Sequence, residues 1–340
     1  MTAKLKQLLF LVIAIGFAVF FIYITAKKID FHHVQSVLKQ TNYFWILLSM
    51  AISIFTYWIR AKRWNLLLNP IGLYPKTASN FWSIAFSYFM NLTIPRSGEV
   101  ARATSLYKTA QVPIDKTFGT IVLERVIDLV CLLLVIGLCF VLNYDLLLRF
   151  FSLGNLEKGS QPATSSNFSY VYLGLGVFVL LAILSALFWK KIVKNKVFKK
   201  VKLFLLGIVE GLNSILKLKR RSEFVGWSVL LWICYFLMTY VVFFAFPDTS
   251  NLGLKEGLFL LVAGSFGMIL PVTGGLGYPY IMSIAFAAMY SLNNGQEALG
   301  RKIGDYFGLI LYLAQIISMI GFGLLAMIYI ARQSKSSRPA

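Results

Sequence analysis

The stretch Phe81-Trp-Ser-Ile-Ala-Phe-Ser-Tyr-Phe-Met-Asn-Leu-Thr-Ile-Pro-Arg-Ser-Gly98 stays largely apolar as far as Ile94 and then stops at Pro95-Arg96-Ser97-Gly98. A helix that crosses a hydrocarbon core about 30 Å thick needs about 20 apolar residues, so this run ends before it could cross. Proline removes a backbone donor and glycine permits tight turns, which makes the corner irregular. A second interruption has the same form. Gly257 to Leu270 halts at Pro271-Val-Thr-Gly-Gly-Leu-Gly277, and apolar sequence resumes from Ile281 to Tyr290. Both corners read Pro-x-[Ser/Thr]-Gly, and they lie 176 residues apart, at 95 and 271.

Composition places these breaks in a membrane. Of 340 residues, 58% are hydrophobic and only 14% charged, where a soluble chain carries about a quarter charged. The 33 Lys+Arg against 13 Asp+Glu give a formal net charge of +20. On such a chain the excess belongs to cytoplasmic loops at the anionic leaflet, not to nucleic-acid binding. Six runs are long enough to span: Leu8 to Thr25, Tyr43 to Ile59, Thr117 to Leu142, Tyr170 to Trp189, Val225 to Phe246 and Tyr306 to Ile330. The first lacks a small-x-small cleavage site and is followed by Lys27-Lys28, so it reads as a span and not as a cleaved signal.

The positive-inside rule fixes the direction of each run. The basic segment 190–221 is cytoplasmic, as are the Arg60-Ala-Lys-Arg63 cluster and the tail with Arg332, Lys335 and Arg338. The balanced loop 143–167 and the slightly acidic segments 247–256 and 291–300 are external. Lys27, Lys28 and Lys39 fall in an outer loop and violate the rule mildly. With Arg63 and Thr117 both inside, Phe81 to Lys116 must enter and leave on the cytoplasmic face. With Glu256 and Ser291 both outside, Gly257 to Tyr290 must enter and leave externally. The expected fold is therefore an all-α polytopic membrane protein, about six full transmembrane helices plus two re-entrant helical hairpins.

The matched corners, followed at a similar distance by Arg125-Val-Ile-Asp128 and Arg301-Lys-Ile-Gly-Asp305, read as an inverted repeat. Its first unit covers about 43–142 and its second about 223–330, joined by the outer loop 143–167, the span 170–189 and the basic segment. Inverted repeats with broken helices are the architecture of many secondary transporters. Broken helices persist in lipid only where protein or water satisfies their backbone, and a helix N-terminus at mid-membrane suits a phosphate. Two unrelated kinks would account for the short matches taken alone, but the parity of crossings points to the repeat independently.

Charge inside the apolar runs marks candidate residues. Arg96, Glu99 and Arg102 share a stripe at i,i+3 spacing, and Glu124, Arg125 and Asp128 sit within a spanning run. A mid-bilayer charge costs about 2.5–3.5 kcal/mol on insertion scales, so these groups are expected to neutralise one another between the first hairpin and the next helix, with Arg125 facing Asp128. They serve either as contacts for an anionic headgroup or as an ion-pair latch. The candidate substrate-binding set is Arg96, Ser97, Gly98, Glu99, Arg102, Glu124, Arg125, Asp128, Pro271, Thr273, Gly274, Gly275, Gly277 and Tyr280. Arg301 and Asp305 form a second latch. Acid–base catalysis by Glu124 and Asp128 lacks a histidine or activated nucleophile beside it. The three cysteines lie in apolar runs, the adjacent His32 and His33 offer no ligand spacing, and no Walker sequence occurs, so no metal, cofactor or ATPase chemistry is expected.

Three motifs carry a resemblance. Ile94-Pro-Arg-Ser-Gly-Glu-Val-Ala-Arg102, Leu123-Glu-Arg-Val-Ile-Asp128 and Pro271-Val-Thr-Gly-Gly-Leu-Gly277, in this order, resemble the lysylphosphatidylglycerol synthase transmembrane region family, also called the flippase-like domain family. The resemblance covers roughly Leu8 to Arg332. It implies a membrane region that moves aminoacylated phospholipids between leaflets. In the full-length synthases a separate cytoplasmic domain transfers lysine or alanine from tRNA to phosphatidylglycerol. Here a ten-residue tail follows Ile330 and no loop is long enough for such a domain, so the expectation is a stand-alone translocating region and no enzyme. The family's second motif commonly continues to a glutamate. Tyr280 stands in that place here, and the family's cationic lipid preference is not carried over.

The expected function is lipid translocation in the cell membrane, with both termini cytoplasmic. Phospholipids are the expected partners, together with a separate lipid-synthesising enzyme. The alternatives are a membrane-embedded lipid-modifying transferase and a non-transporting scaffold for a synthase.

Overall fold

The computed structural model describes residues 37–94, 97–156, 218–269 and 277–336. Among them every regular element is a helix: α1 Tyr43–Leu68, α2 Thr77–Thr93, α3 Gly98–Ala110, α4 Ile114–Leu142, α5 Tyr144–Leu156, α6 Arg221–Tyr240, α7 Leu254–Ile269, α8 Gly277–Asn294 and α9 Glu297–Ser336. The protein is an all-α polytopic membrane protein. Four spans are long and apolar enough to cross a bilayer: Tyr43–Ile71, Ile114–Leu142, Arg221–Ala245 and Glu297–Ser334. They coincide with four of the six expected spans. The runs Leu8 to Thr25 and Tyr170 to Trp189 lie outside the described residues, as do most of the basic segment, Pro95, Arg96 and 270–276.

Local chemistry sets the ends of these helices. Asn42 caps α1, its side chain accepting from the Phe44 amide at 3.2 Å. Asn69-Pro70 turns the chain out of α1 into a short 3-10 turn. Ile94, ahead of a proline, takes an extended conformation (φ −130°, ψ 113°) that stops α2, because proline's ring clashes with a helical residue before it. The segment expected as the outer loop 143–167 opens with a helix, α5. Leu147, Phe150 and Leu153 recur every third residue and are buried, with Phe150 edge-on to Phe259 of α7. That apolar stripe folds the segment back onto the bundle.

Within the compact unit formed by the described residues up to Leu153 and from Arg220, α1 packs on α2, α2 on α3 and α3 on α4. Likewise α6 packs on α7, α7 on α8 and α8 on α9. Between the two sets α1 meets α6, α2 meets α9 and α4 meets α7. Exchanging α1–α4 for α6–α9 maps these pairings onto one another. In addition α9 touches α1 and α3, and α1 touches α4. Helices α8 and α9 meet closely along a row of glycines. A Cβ on Gly304 would lie 2.5 Å from the Met282 carbonyl oxygen, one on Gly308 2.7 Å from Met282 Cβ, and one on Gly300 would overlap the Phe286 carbonyl. Small residues every fourth position let membrane helices meet backbone to backbone.

Candidate functional site

The first corner is closed by its own side chains. Ser97 donates its hydroxyl to the carbonyls of Met90 and Ile94 at 3.0 and 2.7 Å. The Gly98 amide donates to Asn91 Oδ1 at 2.7 Å. A Cβ on Gly98 would strike the Ser87 carbonyl and the Asn91 amide group, so only glycine lets α3 start this close to α2. Ser97 and Gly98 thus fix where α3 points, and Arg102, one turn on, is directed into the bundle.

There it joins a cluster of charges from three helices. Arg60 and Arg63 are one turn apart on α1, and Glu124 and Asp128 one turn apart on α4. Arg60, Arg63 and Arg102 are 4%, 0% and 3% exposed, and Glu124 is 0% exposed. Glu124 Oε1 accepts from Arg60 Nε at 3.0 Å, from Arg60 Nη2 at 2.8 Å and from Arg63 Nη2 at 3.1 Å. Its other oxygen, Oε2, lies 2.8 Å from Arg102 Nη2. Asp128 receives Arg63 Nη2 at 2.7 Å and Arg60 Nη2 at 3.4 Å.

Aromatic and hydroxyl groups complete the shell. Arg60 Nη1 donates to Tyr88 and, at 3.3 Å, to Tyr235. Arg63 Nη1 reaches Ser228 Oγ at 3.4 Å, so α6 also contributes. The Arg102 guanidinium lies 3.7 Å from the centroid of the Trp64 ring, and Trp64 is held by its own hydrogen bond to Thr120 at 2.9 Å. Guanidinium–indole stacking of this kind is a stabilising contact once water is excluded. A buried ion network is weak evidence for stability, but removing one member leaves its partners uncompensated.

Two expectations change. Arg60 and Arg63, expected at a cytoplasmic helix end, are buried among other side chains. Helix α1 runs nine residues past Ile59, the last residue of the apolar run, and both arginines point into the core. Their i,i+3 spacing, with Trp64-Asn-Leu-Leu-Leu still to come, is the sequence signal for this. Arg125 does not face Asp128. Its Nε donates to Glu99 at 3.1 Å across the α3–α4 contact, with both side chains nearly half exposed, because one helical position turns it about 100° away from Glu124. The remaining candidates are dispersed. Gly277, buried at the start of α8, packs against Gly267 of α7, and Tyr280 is half exposed. Arg301 pairs with Glu297 at 3.3 Å. Arg96, Pro271, Thr273, Gly274 and Gly275 lie outside the described residues.

Among the described residues no group of three or more His, Cys, Asp or Glu is placed to hold a metal ion. A separate cleft of about 320 Å³, lined by Tyr74, Lys76, Ser79, Gln111 and Tyr329 among others, shares no residue with the cluster.

Helices broken at a Pro-x-Ser-Gly corner, next to a sequestered knot of arginines and carboxylates, define a polytopic membrane protein with a polar centre. The chain belongs to the family described as the lysylphosphatidylglycerol synthase TM region, whose model matches residues 10–300. It is similar to UPF0104 membrane protein MJ1078 of Methanocaldococcus jannaschii, 28% identical over 261 residues that cover 74% of this chain and 97% of that one. UPF0104 membrane protein MJ1595 of the same organism is 28% identical over 111 residues, 32% of this chain and 33% of its own length. No solved structure matches. Family membership ties the chain to a lipid-related membrane function.

Proposed function

We propose that the protein is a lipid translocase, moving a phospholipid or other lipid-linked headgroup between leaflets of the cell membrane. The observation that carries this reading is the buried cluster of Arg60, Arg63, Arg102, Glu124 and Asp128, set directly behind the first helix break. Charges inside a bilayer face polar pathways or one another, and as a rule they mark function. The lengths of the broken helices support two re-entrant hairpins in an inverted repeat. Helices α2 and α3, which flank the first corner, have 17 and 13 residues, below the roughly 20 that a crossing needs. The exchangeable pairing of α1–α4 with α6–α9 supports the same arrangement.

The chemistry favours transport over catalysis. Glu124 is engaged by three guanidiniums from two other helices, contacts that tie the bundle together. Rocking of one set of helices against the other would expose the polar centre to each leaflet in turn. The test is reconstitution. Protein in liposomes carrying a fluorescently labelled phospholipid should speed the loss of outer-leaflet protection from a membrane-impermeant quencher. Movement no faster than in protein-free liposomes, across several headgroups, would rule the translocase out.

A further inference from the structure

The cluster is unbalanced. Three guanidiniums, those of Arg60, Arg63 and Arg102, meet two carboxylates, those of Glu124 and Asp128. The nearby Glu99–Arg125 pair is neutral in itself. One formal positive charge is therefore left over among groups almost wholly removed from water, a costly arrangement unless an anion shares the site.

Among the described residues, spare buried donors remain on Arg63 Nε and on Arg102, and only Arg102 has its ring-stacked edge turned from the α1–α4 tie. Arg60 uses Nε, Nη1 and Nη2 in hydrogen bonds, and Arg63 uses Nη1 and Nη2. A guanidinium carries five N–H donors. Arg102 is 97% buried, its Nε has no hydrogen-bond partner among the described residues, and its Nη2 meets only Glu124 Oε2, at 2.8 Å. The guanidinium plane is held against Trp64, which leaves its edge as a rigid fork, and such a fork matches an oxyanion with two parallel bonds. Glu124 binds Arg60 and Arg63 through Oε1 and faces Arg102 through Oε2. An anion arriving at Arg102 would displace only the Oε2 contact and leave the α1–α4 tie in place.

We infer that Arg102, stacked on Trp64, is the gripping residue for one phosphate-type oxyanion of net charge −1, and that the site selects anionic over zwitterionic headgroups. The inference rests on the lipid-handling reading above and names its substrate class. A zwitterionic headgroup brings its own cation into a region already positive by one charge. An anionic phosphodiester cancels that charge.

The experiment is equilibrium binding, separate from transport. Purified full-length protein is titrated with phosphatidylglycerol, phosphatidylcholine or inorganic phosphate. Native mass spectrometry reads lipid occupancy, and thermal shift reads inorganic phosphate. The expected result is a single phosphatidylglycerol held at least about tenfold more tightly than phosphatidylcholine, the scale of one charge-assisted hydrogen bond. Arg102→Gln should erase that preference, and Arg102→Lys, which keeps the charge, should retain part of it. Saturation by inorganic phosphate that is lost in Arg102→Gln, without lipid selectivity, would identify the same oxyanion site with a free anion as its ligand. Equal affinity for the two lipids with no phosphate response overturns the inference, as does an undiminished preference in folded Arg102→Gln. The wild-type comparison decides even if the variant does not fold. Selective binding without movement in liposomes would remove the translocase and keep the site, whereas movement without selectivity would do the reverse.

Discussion

Arg60 and Glu124 stand 64 positions apart in the chain, and two nitrogens of the first donate to a single oxygen of the second, at 3.0 and 2.8 Å. Arg63 and Arg102 close on the same carboxylate, so Glu124 is the point at which α1, α3 and α4 are tied. Between helices in lipid, packing and polar contacts must supply what hydrophobic burial supplies in water. The strength of this tie is therefore measurable in the stability of the whole bundle.

Glu124→Ala leaves three buried guanidiniums facing one carboxylate and should destabilise the fold by about 3–5 kcal/mol. Glu99→Ala removes one side of a half-exposed pair and should cost no more than about 1 kcal/mol. Thermal unfolding in one detergent compares the two. Equal shifts would mean that the cluster is not the anchor described here.

Gly304→Ala drives a methyl group toward the Met282 carbonyl and should lower stability by about 1–3 kcal/mol, the range for overpacked contacts. Gly137→Ala meets no atom within 4 Å and should be neutral or slightly stabilising, since alanine is the better helix former. The same unfolding assay checks the order. If both variants behave alike, the α8–α9 contact is looser than described.

Much of the fold was legible in the sequence because apolar length is a strong signal: all four spanning helices among the described residues coincide with runs that can be counted by eye. The first corner was legible as well, since Pro95 and Gly98 admit few conformations. Arg60 and Arg63 were not. Charge near the end of an apolar run looks the same whether it faces water or a partner on another helix, and the partner here lies over sixty residues away. Helix α5 was missed because Asp145 and Arg149 balance the segment's charge and mask its three-residue apolar spacing. Arg125 was assigned a partner by spacing along its own helix, whereas its actual partner comes from α3.

Arg125→Ala and Arg102→Gln should separate in the liposome assay. Arg125 is outside the buried cluster and its loss should leave at least about half of the translocation rate, as expected for an exposed pair. Arg102→Gln should reduce the rate at least about tenfold, the value of one charge-assisted bond. A greater effect at Arg125 would move the pathway to the Glu99 side of α3.

Single cysteines report the proposed topology. In a background without Cys131, Cys139 and Cys234, cysteines at Lys76 and Gln111 should react with an impermeant maleimide from the cytoplasmic side, and those at Ser250 and Gly295 from the outside. Labelling of all four from one side would exclude opposed hairpins.

The third and fourth helices of each set are joined by different means. Helices α8 and α9 touch through main chain, at Gly300, Gly304 and Gly308, where no dissolved species can intervene. Helices α3 and α4 touch through Arg102–Glu124, which is buried, and through Arg125–Glu99, which is nearly half exposed and open to screening by salt. One joint is thus a weld and the other a clasp, so solutes have a chemical handle on α3 that they lack on α8.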